Sequence, residues 1–425
     1  MKKSIFIFTC LFLASYCFAD TFTHSKTGEI FYGYATQKKR GTETLVCIKN
    51  KKEPRYLNLA DYNIEWNYLG RKNEVVSLPI KTVIDLRCET EAFEKVIETA
   101  SNHGPLFILI EIDTPGGRAD LMEQICAAIT KTNNCHTIAF VSGAKYGGAY
   151  SAGAIIALAC DYIYMAEGTA IGAATPILSS SESIKDLKSV YGETVGEKMM
   201  SASRAYIATI AEKNGRPGLL AKAMVDKDIE VLEVIRNGET VFIEPESKKV
   251  NESVVKVWSK KGSLLTLTVT EAVQCGMADK TVGSLKGLIS DLGSANVKIK
   301  RDNEIAKARR KFERSKQQLD RIYDEIDLHV KKINPLLEHA NFLTKEYNRL
   351  NNSYASNREK LMKSADAERK YTLSVLSDVL KRLISKYKVA IVLSQSHPDL
   401  EVDVAALEKE INSGEVQLKE IKLVY

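Results

Sequence analysis

Leu106-Phe107-Ile108-Leu109-Ile110-Glu111-Ile112-Asp113-Thr114-Pro115-Gly116-Gly117 is the stretch that sets the fold. A nearly continuous apolar run of this length reads as a strand buried on both faces, the mark of a parallel sheet covered by helices. Pro-Gly-Gly stops the pairing and lets the backbone approach a ligand closely. Working outward, Thr137-Ile138-Ala139-Phe140-Val141 reads as a second strand, and Ala154-Ile155-Ile156-Ala157-Leu158-Ala159 as a small-residue helix. Across residues 74–295 strand and helix signals alternate, the pattern of a crossover α/β domain.

Between that second strand and its helix lies Gly147-Gly148-Ala149-Tyr150-Ser151-Ala152-Gly153. Such a turn can expose the Ser151 hydroxyl beside the N–H groups of a helix start. Tight packing of small residues explains the same run, and Ala149 stands where a Gly-x-Ser-x-Gly elbow has its first glycine. Gly117 N–H and Ala152 N–H could together hold a developing oxyanion. A serine nucleophile needs a proton acceptor, yet no histidine occurs between His136 and His329. Lysine serves if its amine is held neutral. Thr194-Val195-Gly196-Glu197 reads as a capping box, placing Lys198 near the first turn of a helix. There the positive end of the dipole, and burial, disfavour an ammonium. Lys145 is a rival base, and a solvated surface lysine is the ordinary reading of either.

Asp113-Thr114-Pro115-Gly116-Gly117-Arg118-Ala119-Asp120, Ser151-Ala152-Gly153, Gly168-Thr169-Ala170-Ile171-Gly172-Ala173 and Lys198, in this order and spacing, resemble an NfeD-type, Clp-class serine protease. That family is related to signal peptide peptidase A and, more distantly, to the Clp proteolytic subunit. Leu264 to Gly276, with Glu271-Ala272 and Gly276, resembles the family's Thr-x-x-Glu-Ala-x-x-x-Gly segment. The resemblance implies an α/β Clp/crotonase-type core of repeated ββα units over 74–295. It implies Ser151 as nucleophile, Lys198 as general base, and Gly117 and Ala152 as the oxyanion hole. Gly116 and Tyr150 are the expected substrate contacts. The Clp subunit carries its catalytic histidine in a segment near Ala174, where this chain has none. The implied activity is hydrolysis of peptide bonds in protein or peptide substrates by a Ser-Lys dyad, without cofactor or metal.

The rest of the 425 residues frames this reading. Lys2-Lys3, the apolar run Ile5 to Ala14 and Cys17-Phe18-Ala19 read as a secretory signal over residues 1–19. The protein is therefore expected to be exported to the periplasm or outside, and anchored in the membrane if the segment is not cleaved. Residues 20–73 alternate polar and apolar positions, as a small β domain does. Its Lys38-Lys39-Arg40 and Lys49-Asn50-Lys51-Lys52 clusters read as solvated hairpin tips. Ser179-Ser180-Ser181-Glu182-Ser183 reads as a loop or a lid.

Over residues 296–397, Phe312, Leu319, Ile322, Ile326, Val330, Ile333, Leu337, Ala340, Tyr347, Leu350 and Tyr354 recur at helical steps, predicting a long amphipathic helix or coiled coil. Asn334-Pro335 should kink or break it. Residues 398–425 read as a polar tail with a short helix.

The net charge of +6 does not call for nucleic acid. A homo-oligomer and a membrane-protein partner are the expected associations. Of eight cysteines, Cys126 and Cys135 flank one connection and could pair. The alternative function is a catalytically silent scaffold assembling through the coiled coil. An acyl-CoA enzyme on the crotonase fold is disfavoured by the export signal.

Overall fold

The structure is a computed structural model that describes residues 20–48, 55–65, 72–103, 105–132, 135–179, 184–291, 298–354 and 356–424. The signal segment, the Lys49–Lys52 cluster and residues 180–183 of the serine-rich loop lie outside the described residues.

Strands β1 (Asp20–His24), β2 (Ile30–Arg40), β3 (Glu43–Ile48), β4 (Arg55–Leu57) and β5 (Tyr62–Glu65) form an antiparallel sheet in the order β4-β3-β2-β1-β5. Phe22 is fully buried, stacked on Phe31 with ring centroids 4.8 Å apart. Arg40 pairs with Glu43 at 2.9 Å and lies over the Tyr56 ring, so part of the first basic cluster is neutralised locally.

The main sheet contains β6 (Lys72–Ile80), β7 (Pro105–Ile112), β8 (His136–Val141), β10 (Tyr162–Met165), β18 (Lys280–Thr281) and β19 (Lys298–Arg301). Its order is β18-β10-β8-β7-β6-β19, and every pairing is parallel. Helices α1 (Arg87–His103), α2 (Ala119–Lys131) and α3 (Ala152–Ala159) make the crossovers.

The apolar run in β7 is buried on both faces, as expected. Ile108, Ile110 and Ile112 join the larger core, whereas Phe107 and Leu109 join a second cluster with Leu288 and Ile289. Those two belong to α8 (Leu285–Asp291).

Four of the main strands, β6, β7, β8 and β10, hand over to a short second segment. Ile84 follows β6 and Thr114 follows β7; β9 (Gly148–Tyr150) follows β8, and β11 (Ala170–Gly172) follows β10. Parallel bridges join Ile84 to Gly117 and Thr114 to Ala149, and β9 pairs with β11. β11 also pairs antiparallel with β17 (Thr266–Thr268). This repeated strand, short strand and helix unit is the expected fold class.

After β11 come a hairpin, β12 (Ile177–Ser179) and β13 (Ile184–Asp186), then α4 (Leu187–Tyr191), α5 (Glu193–Lys213) and α6 (Gly218–Val225). A three-stranded antiparallel sheet follows, of β14 (Val231–Arg236), β15 (Glu239–Ile243) and β16 (Val254–Ser259). Helix α7 (Val269–Gln274) starts with a capping box between Thr268 and Glu271. The main sheet outruns the expected limit at residue 295, because β19 adds to its β6 edge.

Residues up to Ile305 form one compact unit and Ala306–Tyr425 a second. In the second, α9 (Glu304–Asn351), α10 (Arg358–Ser396) and α11 (Val404–Val424) share one core. Leu319, Ile322 and Ile326 meet Leu383, Ile384, Tyr387 and Ala390, and Leu407 and Ile411 close the cluster. Two sequence expectations change here. The chain stays helical through Pro335, because a helix partnered along its length tolerates the lost hydrogen bond. The short helix expected in the last segment instead runs for 21 residues and takes up most of the tail, because Leu407, Ile411 and Ile421 are buried within this unit. Among the described residues, no helix is long and apolar enough to cross a membrane.

Candidate active site

The site is built at the C-terminal ends of β7 and β8. Asp113, fully buried after β7, accepts hydrogen bonds from four consecutive backbone N–H groups: Lys145 (2.5 Å), Tyr146 (3.0 Å), Gly147 (3.1 Å) and Gly148 (3.4 Å). One carboxylate thereby folds the loop after β8 back onto β7. The pairing continues as Thr114 N–H donates to Gly148 O and Tyr150 N–H to Thr114 O. Ser151 comes next, capping α3 with φ 53° and ψ −124°, a conformation that glycine adopts readily and a serine does not. It is held there because Ser151 N–H donates to Gly172 O at 2.9 Å.

Gly116 lies directly against this turn. A Cβ added to it would stand 2.5 Å from Ser151 Cβ, 2.9 Å from Ser151 Oγ and 3.1 Å from Ala152 N. Gly153 meets the Thr114 methyl in the same way, at 2.4 Å. Glycine at both positions lets the Pro-Gly-Gly turn and the start of α3 close on one another. Neither the Gly117 N–H nor the Ala152 N–H donates to any described residue, and the Ser151 hydroxyl is half-exposed without a hydrogen bond. The structure thus brings Ser151, Gly116, Gly117 and Ala152 together. Tyr150 is half-buried beside them, its hydroxyl turned back to Gly147 O at 3.3 Å.

At its other end α3 is held by Arg216, whose buried guanidinium donates to the carbonyls of Leu158, Cys160, Asp161 and Met277 and pairs with Asp279 at 3.3 Å. Asn214 Nδ2 also donates to Leu158 O, at 2.9 Å. Beneath the site, Glu111 accepts from Ser77 and Lys81, each at 2.5 Å. Burial pushes the Glu111 carboxyl up, but these two hydrogen bonds outweigh it and hold it below its ordinary value.

Lys198 is placed differently from the expectation. Helix α5 starts at Glu193, with Gly192 as its cap and no capping box, so Lys198 falls in the second turn. Glu197 is drawn instead to Lys188 and Arg204. The Lys198 side chain is exposed and makes no hydrogen bond or ion pair with a described residue. The dyad is therefore not closed in this structure. Lys145 is exposed too, its ammonium 4.6 Å over the Tyr146 ring. His136 faces Asp161 at the start of β8, the opposite end of that strand from the serine turn.

Cys126 and Cys135 are both buried and no disulfide joins them, so the pairing offered by their positions is not made. Among the described residues no group of three or more His, Cys, Asp or Glu side chains could hold a metal. Sequence reasoning gave no role to Asp113 or Arg216. Their signals were an acid two residues before Pro-Gly-Gly and a basic residue just past a helix end.

Residues 74–254 match the NfeD1b N-terminal domain family. The chain is 33% identical over 169 residues to the membrane-bound protease PH1510 of Pyrococcus horikoshii, covering 39% of this chain and 36% of that protein. Over 241 residues it is 27% identical to membrane protein NfeD1b of Bacillus subtilis, covering 57% of this chain and 46% of that one. It thus spans less than half the length of these curated relatives. A solved 1510-N membrane-bound stomatin-specific protease, a lysine-to-alanine mutant in complex with a substrate peptide, is 26% identical, covering 54% of this chain and 92% of its own, with a TM-score of 0.40. ClpP1 from Listeria monocytogenes is 14% identical, covering 50% and 94%, with a TM-score of 0.32. Residues 74–254 thus match the NfeD1b N-terminal domain family, and the chain is homologous over part of its length to the PH1510 protease and to NfeD1b.

Proposed function

We propose that this chain is a serine peptidase in which Ser151 is the nucleophile and Lys198 the general base. The observation that carries this reading is half-buried Ser151 in a strained turn packed on Gly116, with its hydroxyl and the Gly117 and Ala152 N–H groups making no hydrogen bond to a described residue. Homology to a membrane-bound protease supports it. In the reaction Ser151 Oγ forms a bond to the substrate carbonyl carbon as the Lys198 amine takes the hydroxyl proton. The oxyanion is held by Gly117 and Ala152 N–H; one such donor is worth about 2.7–4 kcal/mol. The C–N bond then breaks as Lys198 returns the proton to the leaving amine. Water, deprotonated by the same amine, then adds to the acyl carbon, and the ester C–O bond breaks as Lys198 returns that proton to Ser151 Oγ. With Lys198 exposed here, catalysis on this reading requires α5 to bring the amine to Ser151 when substrate binds.

On this proposal residues 1–19 direct export, the chain forms a homo-oligomer and meets a membrane-protein partner, and the substrate is a protein or peptide. The open dyad favours a second reading, a silent scaffold. Labelling of the full chain with a fluorophosphonate decides between them. The peptidase labels at Ser151, whereas Ser151→Ala and Lys198→Ala neither label nor cleave peptides. A wild-type chain that never labels at Ser151 is the scaffold.

A further inference from the structure

A guanidinium ties the helix that carries Lys198 to the element that supports the Ser151 loop. Arg204, on α5, pairs through Nη2 with Glu197, the neighbour of Lys198, at 2.5 Å, and through Nη1 with Asp226. Asp226 caps the C-terminus of α6, where its own N–H donates to Lys222 O. The same end of α6 receives the nucleophile's support. Ala174 N–H donates to Met224 O at 2.6 Å, and Thr175 Oγ1 donates to Val225 O at 2.7 Å. Ala174 is two residues from Gly172, whose carbonyl accepts Ser151 N–H. Between them Ala173 is forced to φ 51°. Arg204 and Asp226 are mostly shielded, with side-chain exposures of 22% and 11%.

Resting on the peptidase reading above, we infer that Arg204 is a positioning residue that couples the second turn of α5, and with it Lys198, to the end of α6 that supports the nucleophile's turn, so that the two move into register together when substrate binds. A guanidinium is suited to this because its planar fork serves two carboxylates on two elements at once, whereas an ammonium is a point charge on a flexible stem. Lys188 also reaches Glu197, at 3.0 Å, but from α4, and it has no link to α6. The Arg204 connection joins the second turn of the base's helix to the end of α6 and so to the turn after β11, whereas the Asn214 contact with α3 holds the far end of α5.

The test uses the full chain as wild type, Arg204→Lys, Arg204→Ala and Glu197→Gln. Two readouts are taken on the same samples: the rate of fluorophosphonate labelling at Ser151 across pH, and amide exchange over residues 173–178. Misplacement by about 1 Å remote from the chemistry costs on the order of 100-fold. Arg204→Ala should lose that much in labelling rate, with a shifted pH profile and faster exchange at 173–178. Residues 152–159, held by Arg216, should keep their protection. Arg204→Lys should not restore the rate, and it carries the test if Arg204→Ala does not fold. Glu197→Gln should slow labelling but leave exchange at 173–178 as in wild type. Wild-type exchange at 173–178, or wild-type labelling, in both Arg204 variants overturns the inference. Failure of the wild type itself to label at Ser151 overturns the peptidase reading instead, and the exchange data alone then decide whether Arg204 ties the two elements.

Discussion

Gly116→Ala probes the site at its tightest point. The new methyl would stand 2.5 Å from Ser151 Cβ, where carbon atoms ordinarily rest about 3.5–4 Å apart, so something must shift by roughly 1 Å. Overpacking of this kind costs about 1–3 kcal/mol. The backbone adds a second cost, because Gly116 has φ 106°, which a side chain tolerates only with strain of about 1–3 kcal/mol. Together these reach roughly 2–6 kcal/mol, a large share of a typical folding stability of about 5–15 kcal/mol. Displacing Ser151 by the same 1 Å should slow fluorophosphonate labelling by about 100-fold. Gly168→Ala is the control: its φ is 75° with no atom within 4 Å, so only backbone strain of about 1–2 kcal/mol applies. Denaturant unfolding and labelling kinetics on both variants separate the two costs. Gly116→Ala labelling at the wild-type rate, or losing no more stability than Gly168→Ala, would refute the apposition of the Pro-Gly-Gly turn with Ser151.

Asp113→Asn should cost about 1.5–3 kcal/mol in chemical denaturation, because the neutral amide accepts less strongly from the four N–H groups gathered there. Glu111 is held below its ordinary value of 4.5, so its contribution to stability is present above that pH and lost as the pH falls through the lower folded value; Glu111→Gln should flatten this part of the acid-unfolding curve. Arg216→Lys leaves carbonyls around α3 without donors and should cost more than about 2 kcal/mol, read by thermal unfolding. Burial pushes the Cys126 thiol up to about 12 and Cys160 well above its ordinary value, so neither should react with Ellman's reagent until the protein unfolds.

Much of the α/β core was legible because its signals are local. The double-faced burial of β7 follows from an apolar run, and the turn at Ser151 from small residues crowded between a strand and a helix. The Thr268–Glu271 capping box was missed although it stands in plain sequence, while the one expected at Thr194–Glu197 does not form. There Glu197 finds stronger partners in Lys188 and Arg204, and neighbours brought in by folding override a local motif. Pro335 illustrates the same override, since α9 continues through it within a partnered helical unit. Asp113 and Arg216 stayed silent because what they hold lies on elements remote in the chain. The placement of Lys198 was least legible, because exposure depends on how a 21-residue helix overhangs an eight-residue one.

The dihedral angles of Ser151 carry a consequence for how this turn would evolve. Glycine would rest more easily there, so Ser151→Gly should melt at a higher temperature than Ser151→Ala and could exceed the parent chain. Heat tolerance and the hydroxyl pull this position in opposite directions. A library sorted on thermal survival alone would drift to glycine at 151, and one sorted on hydrolysis would keep serine.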